Sequence, residues 1–208
     1  LPNPLPRGEG VCYRALMPPP LSLTNKRWTL PQTLQGAFSM EELIERLKAQ
    51  RGITDAVSHD WYDPSVFPDA RKAADRVHRA IQNGEKIAIF GDYDCDGITS
   101  TAQMLRFFRR HGVEPLIRLP HRVHDGYGLK PKHVEEFHDA GIDLLITVDT
   151  GIGAHDAIAQ ANVYGIDVIV LDHHHFVSTP PAYAVLHPVL ANNNVFPDAA
   201  PCAAGVVF

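Results

Sequence analysis

The chain has 208 residues, 45% of them hydrophobic and 21% charged, with a formal net charge of −5. This balance excludes a disordered tail and fits one globular domain, or one domain with a small appendage. No apolar run approaches the roughly 18–20 residues of a membrane span, no signal-peptide pattern opens the chain, and three widely spaced cysteines (Cys12, Cys95, Cys202) make no disulfide framework or zinc knuckle, so a cytoplasmic protein is expected.

Residues 1–38 are rich in proline (Pro2, Pro4, Pro6, Pro18, Pro19, Pro20, Pro31) and without periodicity, so they read as an extended lead-in. A helical region over 39–84 follows. Ser39 with Glu42 makes a capping-box pattern ahead of the apolar stripe Leu43, Ile44 and Leu47, which stops near Arg51-Gly52. A second helix is predicted from about Pro68 to Gln82, with Ala70, Ala73, Ala74, Val77 and Ile81 on one side and Asn83-Gly84 as its stop. From residue 85 to 208 short apolar runs alternate with amphipathic stretches, the pattern of an α/β fold with a parallel sheet and helices on both faces. Predicted strands are Ile87–Phe90, Val113–Leu119, Leu144–Val148, Val168–Leu171 and Tyr183–Leu186, and predicted helices run over about 98–111, 131–140 and 153–164.

Three of these strands end directly in acids: Gly91-Asp92-Tyr93-Asp94-Cys95-Asp96-Gly97, Val148-Asp149-Thr150-Gly151, and Leu171-Asp172-His173-His174. Ligand sites of open α/β sheets lie at the carboxyl ends of the strands, so five aspartates and two histidines are expected on one rim. Such negative charge calls for a counter-charge, supplied most simply by one or two divalent cations, and oxygen ligands with one or two imidazoles suit Mn²⁺ or Mg²⁺. Weaker readings exist. A calcium loop would need a bidentate glutamate where Gln103 stands, and an aspartyl-phosphate phosphatase would need a later lysine, whereas none follows Lys132. Taken alone, Asp149 would read as a helix N-cap before Gly151–Gly153, and His175 as a surface histidine.

The run Gly91–Ala102, then Pro120-His121-Arg122 with Gly126-Tyr127-Gly128-Leu129, then Val148–Ile152, then Asp172-His173-His174 resembles in order and spacing the DHH phosphoesterase superfamily. Within it the chain is most similar to bacterial exonucleases that degrade single-stranded DNA from the 5′ end, over about residues 68–208. The resemblance implies that Asp94, Asp96, Asp149 and His173 ligate metal, Mn²⁺ or Mg²⁺ and two ions in the complete protein. Asp92 and Asp172 would stand close by as ligands or as groups that orient ligands, and His174 would face the scissile phosphate. Asp94 and Asp96 are expected to point the same way in an extended loop, with Gly97 letting that loop turn into the following helix. The N–H groups of that helix would assist a phosphate oxygen.

Charge is unevenly placed: residues 101–133 carry 7 Lys+Arg against 2 Asp+Glu, and residues 134–208 carry 9 acids and no Lys or Arg. In the basic middle, Arg118, His121 and Arg122 are expected to hold backbone phosphate and Tyr127 to stack on a base, whereas Arg106, Arg109 and Arg110 read as a solvated helix face. The resemblance implies hydrolysis of single-stranded DNA in repair and recombination, with a single-strand-binding protein and a helicase as partners. Two rival expectations are a small phosphodiesterase acting on short oligonucleotides or cyclic dinucleotides, and a non-catalytic single-strand-binding relative. The run Ala203–Phe208 reads as a helix that opens without closing, so a truncated core is expected, lacking one family metal ligand for which Asp198 is the sole later acid.

Overall fold

Five short runs of mostly branched aliphatic residues fix the architecture, because residues of that kind, buried on both sides, favour a parallel sheet covered by helices. The structure, a computed structural model, describes residues 39–51, 62–192, 195–196 and 200–208, so the proline-rich lead-in and Asp198 lie outside the described residues. The chain divides into two compact units, Leu1–His59 and Asp60–Phe208. In the first, helix α1 (Met40–Arg51) starts with the expected capping box: the Glu42 N–H donates to Ser39 Oγ at 3.2 Å and the Ser39 N–H to Glu42 Oε2 at 3.0 Å.

The second unit runs α2 (Ala70–Asn83), β1 (Ile87–Gly91), α3 (Cys95–Arg110), β2 (Leu116–Arg118), α4 (Pro131–Asp139), β3 (Leu144–Val148), α5 (His155–Val163), β4 (Asp167–Leu171), β5 (Ala184–Leu186) and α6 (Ala203–Val207). All pairings are parallel and the strand order is β2-β1-β3-β4-β5, with its topological switch between β1 and β3. Alternate residues of each strand feed two cores. Ala88, Phe90, Leu145, Val168 and Val170 face one, with Val134, Phe137, Ala157 and Ile158 of α4 and α5. Ile87, Ile89, Leu144, Ile146, Val148 and Ile169 face the other, with Ala73 and Ala80 of α2 and Phe108 of α3. Helix α2, expected with the helical N-terminal region, thus packs into the sheet's own unit.

Other departures from the sequence expectation have local causes. Strand β2 is shorter than Val113–Leu119 because Pro115 and Pro120 bracket it and lack the N–H a ladder needs, and it lies at an edge. Helix α2 begins at Ala70 and buries Arg76, which pairs with Glu85 Oε2 at 2.7 Å and with Asp167. Helix α3 begins at Cys95, three residues before the expected start, because the Asp94 side chain caps it. No helix among the described residues is long and apolar enough to cross a membrane.

Candidate metal centre at the strand ends

Register places the site. Gly91 pairs with Val148, Val148 with Leu171, and Leu171 with Leu186, so four strands end flush. The next residue of each is Asp92, Asp149, Asp172 and His187, a row of polar side chains along one rim at the topological switch. The three aspartates are only 1–4% exposed and His187 only 1%. The ladder extends one step into the row: the Asp149 N–H donates to the Leu171 carbonyl at 2.9 Å and the Asp172 N–H to the Leu186 carbonyl at 3.2 Å.

Asp149 is the centre of the row. Its φ of +59° is the left-handed region, and it is the one non-glycine residue there among those described. That turn is not a helix cap, since α5 starts only at His155 with Ala154 as its N-cap. Gly151 (φ +109°) completes the turn, and a Cβ there would stand 2.3 Å from Thr147 Oγ1, so the tight path needs glycine. Both Asp149 carboxylate oxygens are buried without a hydrogen-bond partner, although His173 Nε2 stands 3.2 Å from Oδ1. A buried carboxylate without donors is costly unless something positive completes it.

The surrounding groups fit a cation. Donor atoms of Asp149, His173 and His174 lie within 4.8 Å of one another, and so do those of Asp92, Asp94 and Asp149. The two triads share Asp149 and combine carboxylate oxygens with two imidazoles, the donor set of Mn²⁺ or Mg²⁺ rather than of a thiolate-bound structural metal. Burial, followed by the Asp96 and Asp94 carboxylates, pushes the Asp149 carboxyl up to about 7. Burial likewise raises Asp92, against the pull of the Tyr93 N–H. Asp94 is lowered, chiefly by the Gly97 N–H that donates to its Oδ1 at 3.0 Å.

Asp94 and Asp96 do not share an extended loop. Asp94 is extended as the N-cap of α3, whereas Asp96 lies in the first helical turn. There the Asp96 oxygens accept the Ala203 and Ala204 N–H groups at 2.8 and 2.9 Å, while His173 Nε2 stands 3.5 Å from Oδ2. The carboxylate thus touches both the cluster and the start of α6. Gly97 sits within the helix and serves close approach instead of a bend, since a Cβ would stand 2.5 Å from the Asp92 carbonyl oxygen. Its N–H is engaged by Asp94 and is not free for a phosphate.

Asp172 and His187 hold the following loop. Asp172 Oδ1 accepts the N–H groups of His173 (2.7 Å) and His174 (3.1 Å) and lies 2.7 Å from His174 Nδ1, while Oδ2 accepts the Ile152 N–H at 2.9 Å. Both oxygens are thus engaged within the protein. His174 Nδ1 therefore carries a hydrogen, and Nε2 faces the Tyr127 hydroxyl at 3.2 Å. Burial pulls the His174 imidazole down, but Asp172, with Asp149 and Asp92, outweighs it and leaves His174 above the ordinary value. His187 Nδ1 accepts the Val189 N–H at 3.2 Å, so its Nε2–H donates to the His174 carbonyl at 2.8 Å. Sequence reasoning misses His187, although a strand ending in His187-Pro188 carries the same signal as the strand-end acids. His187→Leu is expected to leave that carbonyl unpaired and to lower stability by about 1–3 kcal/mol, measured by urea unfolding.

The basic residues separate. Arg118 is directed inward: it pairs with Asp125 and Glu136, each at 3.1 Å, and donates to the Leu119 carbonyl at 2.9 Å. Its guanidinium is engaged within the protein. Asp125 also accepts from Lys132 and the His121 N–H, which places it well below the usual carboxylate range. His121 Nδ1 accepts the Val123 and His124 N–H groups, ordering the loop. Exposed Arg122 lies over the Tyr93 ring, 4.4 Å from its centroid, and Tyr127 meets His174, so these two border the cluster.

The comparisons with known proteins agree with this geometry. The chain is 35% identical over 190 residues to the single-stranded-DNA-specific exonuclease RecJ of Escherichia coli, covering 88% of this chain and 33% of that protein. It is 37% identical over 167 residues to RecJ of Bacillus subtilis, covering 76% and 21%. It therefore spans a third or less of the length of these relatives. The crystal structure of exonuclease RecJ bound to manganese superposes with a TM-score of 0.58 at 36% identity, covering 66% of this chain and 34% of that one. RecJ from Thermus thermophilus in complex with Mn²⁺ gives 0.61 at 29% identity, covering 77% and 23%. The model of the DHH family N-terminal domain matches residues 86–208, from the residue before β1 through the rim of strand ends to α6, and the chain belongs to the DHH family.

Proposed function

We propose that the protein hydrolyses phosphodiester bonds of single-stranded DNA from the 5′ end, with Mn²⁺ or Mg²⁺ held by Asp149, His173, Asp94 and Asp92, and with Asp96 and His174 at the edge of that set. The observation that carries this reading is the buried, donorless Asp149 carboxylate shared by two ligand triads. Relatives named as single-stranded-DNA-specific exonucleases, and manganese-bound structures of that enzyme, support the choice of substrate and metal. When bound, such ions supply a strong oxygen nucleophile near neutral pH and neutralise charge on the phosphate under attack.

The chain's own groups do the positioning. Asp172 keeps a hydrogen on His174 Nδ1 and orients the ring, so that Nε2 and the Tyr127 hydroxyl form a polar pair beside the acids. Burial and the nearby Asp172 and Asp92 carboxylates keep the Tyr127 phenol protonated; its one hydrogen goes to His174 Nε2 when that ring is neutral and to a phosphate oxygen when His174 is an imidazolium. Arg122, free on its outer face, offers a bidentate grip on the backbone, with His121 on the same loop. The reading carries with it a role in repair and recombination in the cytoplasm, beside a helicase and a single-strand-binding protein. It is tested with single-stranded DNA labelled at either end, Mn²⁺, and Asp149→Asn as control. Mononucleotides released from the 5′ end, and absent with the variant, are expected. Cleavage of only dinucleotides or cyclic substrates would replace it with the small-phosphodiesterase reading, and metal-independent binding without cleavage with a binding module.

A further inference from the structure

Beside the acid cluster lies a cavity of about 480 Å³, between Tyr127 and Leu129 on one side and the turn Thr150–Ala154 on the other, with His174 at its edge. Its size is that of a small-ligand site. Leu129 and Ile152, 5% and 3% exposed, are its apolar wall, and the Tyr127 ring, 51% exposed, is its broad aromatic surface. The Tyr127 hydroxyl is tied to His174, so the ring is held at its far end. Among the described residues no Lys or Arg borders the cavity, and its one carboxylate, Asp172, already has both oxygens engaged. A phosphate finds a counter-charge only at the His174 edge, not within the cavity's apolar body. A flat, neutral group finds an aromatic face, aliphatic walls and a direct path to the cluster.

We propose that this cavity is a subsite for a nucleobase of the strand, that of the nucleotide whose phosphate lies at His174. The inference rests on the reading that single-stranded DNA is the substrate. Of the polar side chains in the lining, Tyr127, Asp172 and His174 are engaged with one another, which leaves Thr150 and His175, so the base is gripped chiefly by stacking and apolar contact. Gly153 supplies the handle. It lines the cavity, its φ is not in the left-handed region, and a Cβ added to it meets nothing within 4 Å. A larger side chain at 153 enters open space without disturbing the backbone.

The test compares two Mn²⁺-dependent substrates, an intact single strand and one whose 5′-terminal nucleotides are abasic, for the natural protein and Gly153→Leu. The natural protein is expected to prefer the intact strand by at least about tenfold in kcat/KM, mainly through KM, as stacking of one base implies. Gly153→Leu is expected to bring the intact strand down to the abasic level, with Gly153→Ala between. Equal rates on both strands with the natural protein, or an equal fall on both with Gly153→Leu, would overturn the subsite. Should neither strand be cleaved, the nuclease reading fails, and the subsite is judged by calorimetry of dTMP against deoxyribose 5-phosphate with Mn²⁺. Tighter dTMP binding that Gly153→Leu removes supports it, and equal binding of the two overturns it.

Discussion

Asp149→Asn is expected to make the metal-free protein more stable while removing its activity. The native carboxyl titrates at about 7, far above an ordinary aspartate, because burial and the Asp96 and Asp94 charges disfavour the ionised form. Between about pH 4 and 7 the folded chain therefore holds a proton that the unfolded chain has lost. The stability contributed by this group is fully present below about pH 4 and is lost as the pH rises through 7. Asparagine never ionises, and it tolerates the left-handed backbone that position 149 requires. The gain over the natural chain should grow from nil near pH 4 to about 2–4 kcal/mol above about pH 7, read from unfolding curves without metal. Mn²⁺ binding, followed by calorimetry, should weaken sharply in the variant, and hydrolysis should fall on the order of 10³-fold or more. In the natural protein the proton competes with the cation, so affinity should fall about tenfold per unit below about pH 7. A variant less stable than the natural chain at about pH 8 would mean that the carboxylate is satisfied within the protein.

Asp172→Asn should separate orientation from ligation. The substitution keeps the shape of the side chain and one acceptor oxygen, but one terminus becomes an NH₂ donor. It faces either the His174 N–H groups now served by Oδ1 or the Ile152 N–H served by Oδ2. In either orientation the negative charge that holds the His174 proton is gone, and the imidazole falls toward or below its ordinary value. We expect kcat to fall about 10²–10⁴-fold with KM little changed, and the alkaline limb of the kcat profile to move to lower pH. NMR titration of His174 should show the same displacement. A rise in KM alone, with the pH profile unmoved, would make Asp172 a binding group.

How much of this is legible in the sequence follows from the range of the forces involved. The strands β1, β3 and β4 are readable because each is an apolar run that no helix of that length could bury on all sides, and the acids after them are adjacent in sequence to the elements that place them. The α3 start escapes the pattern because an N-cap aspartate and a ligand aspartate have the same letter, and Asp94, a proposed ligand, is the cap. Arg118 looks like a phosphate contact until Asp125 and Glu136, 7 and 18 positions away, are seen to engage it. Asp96 is expected in the cluster alone, yet its carboxylate also holds the start of α6, 107 and 108 positions later. Partners at such separations leave no periodicity to detect. The left-handed turn at Asp149 follows a backbone tie to Leu171, 22 positions later, and only Gly151 marks it locally.

The flush strand ends also govern when the site comes into being during folding. Asp92, Asp149, Asp172 and His187 span 96 consecutive positions, and no stretch that pairs only neighbouring strands contains all four. Because β1 lies between β2 and β3, the first acid meets the second only after an intervening strand and two helices have been bypassed, a non-local closure of the kind that slows folding. A half-folded chain therefore keeps Asp92 and Asp94 away from Asp149, although the β3–β4 pairing by itself brings Asp149 beside His173. Hydrolytic competence would arrive with the β1–β3 pairing, and the like charges that this pairing brings together would make it the point at which divalent cations bear on the rate.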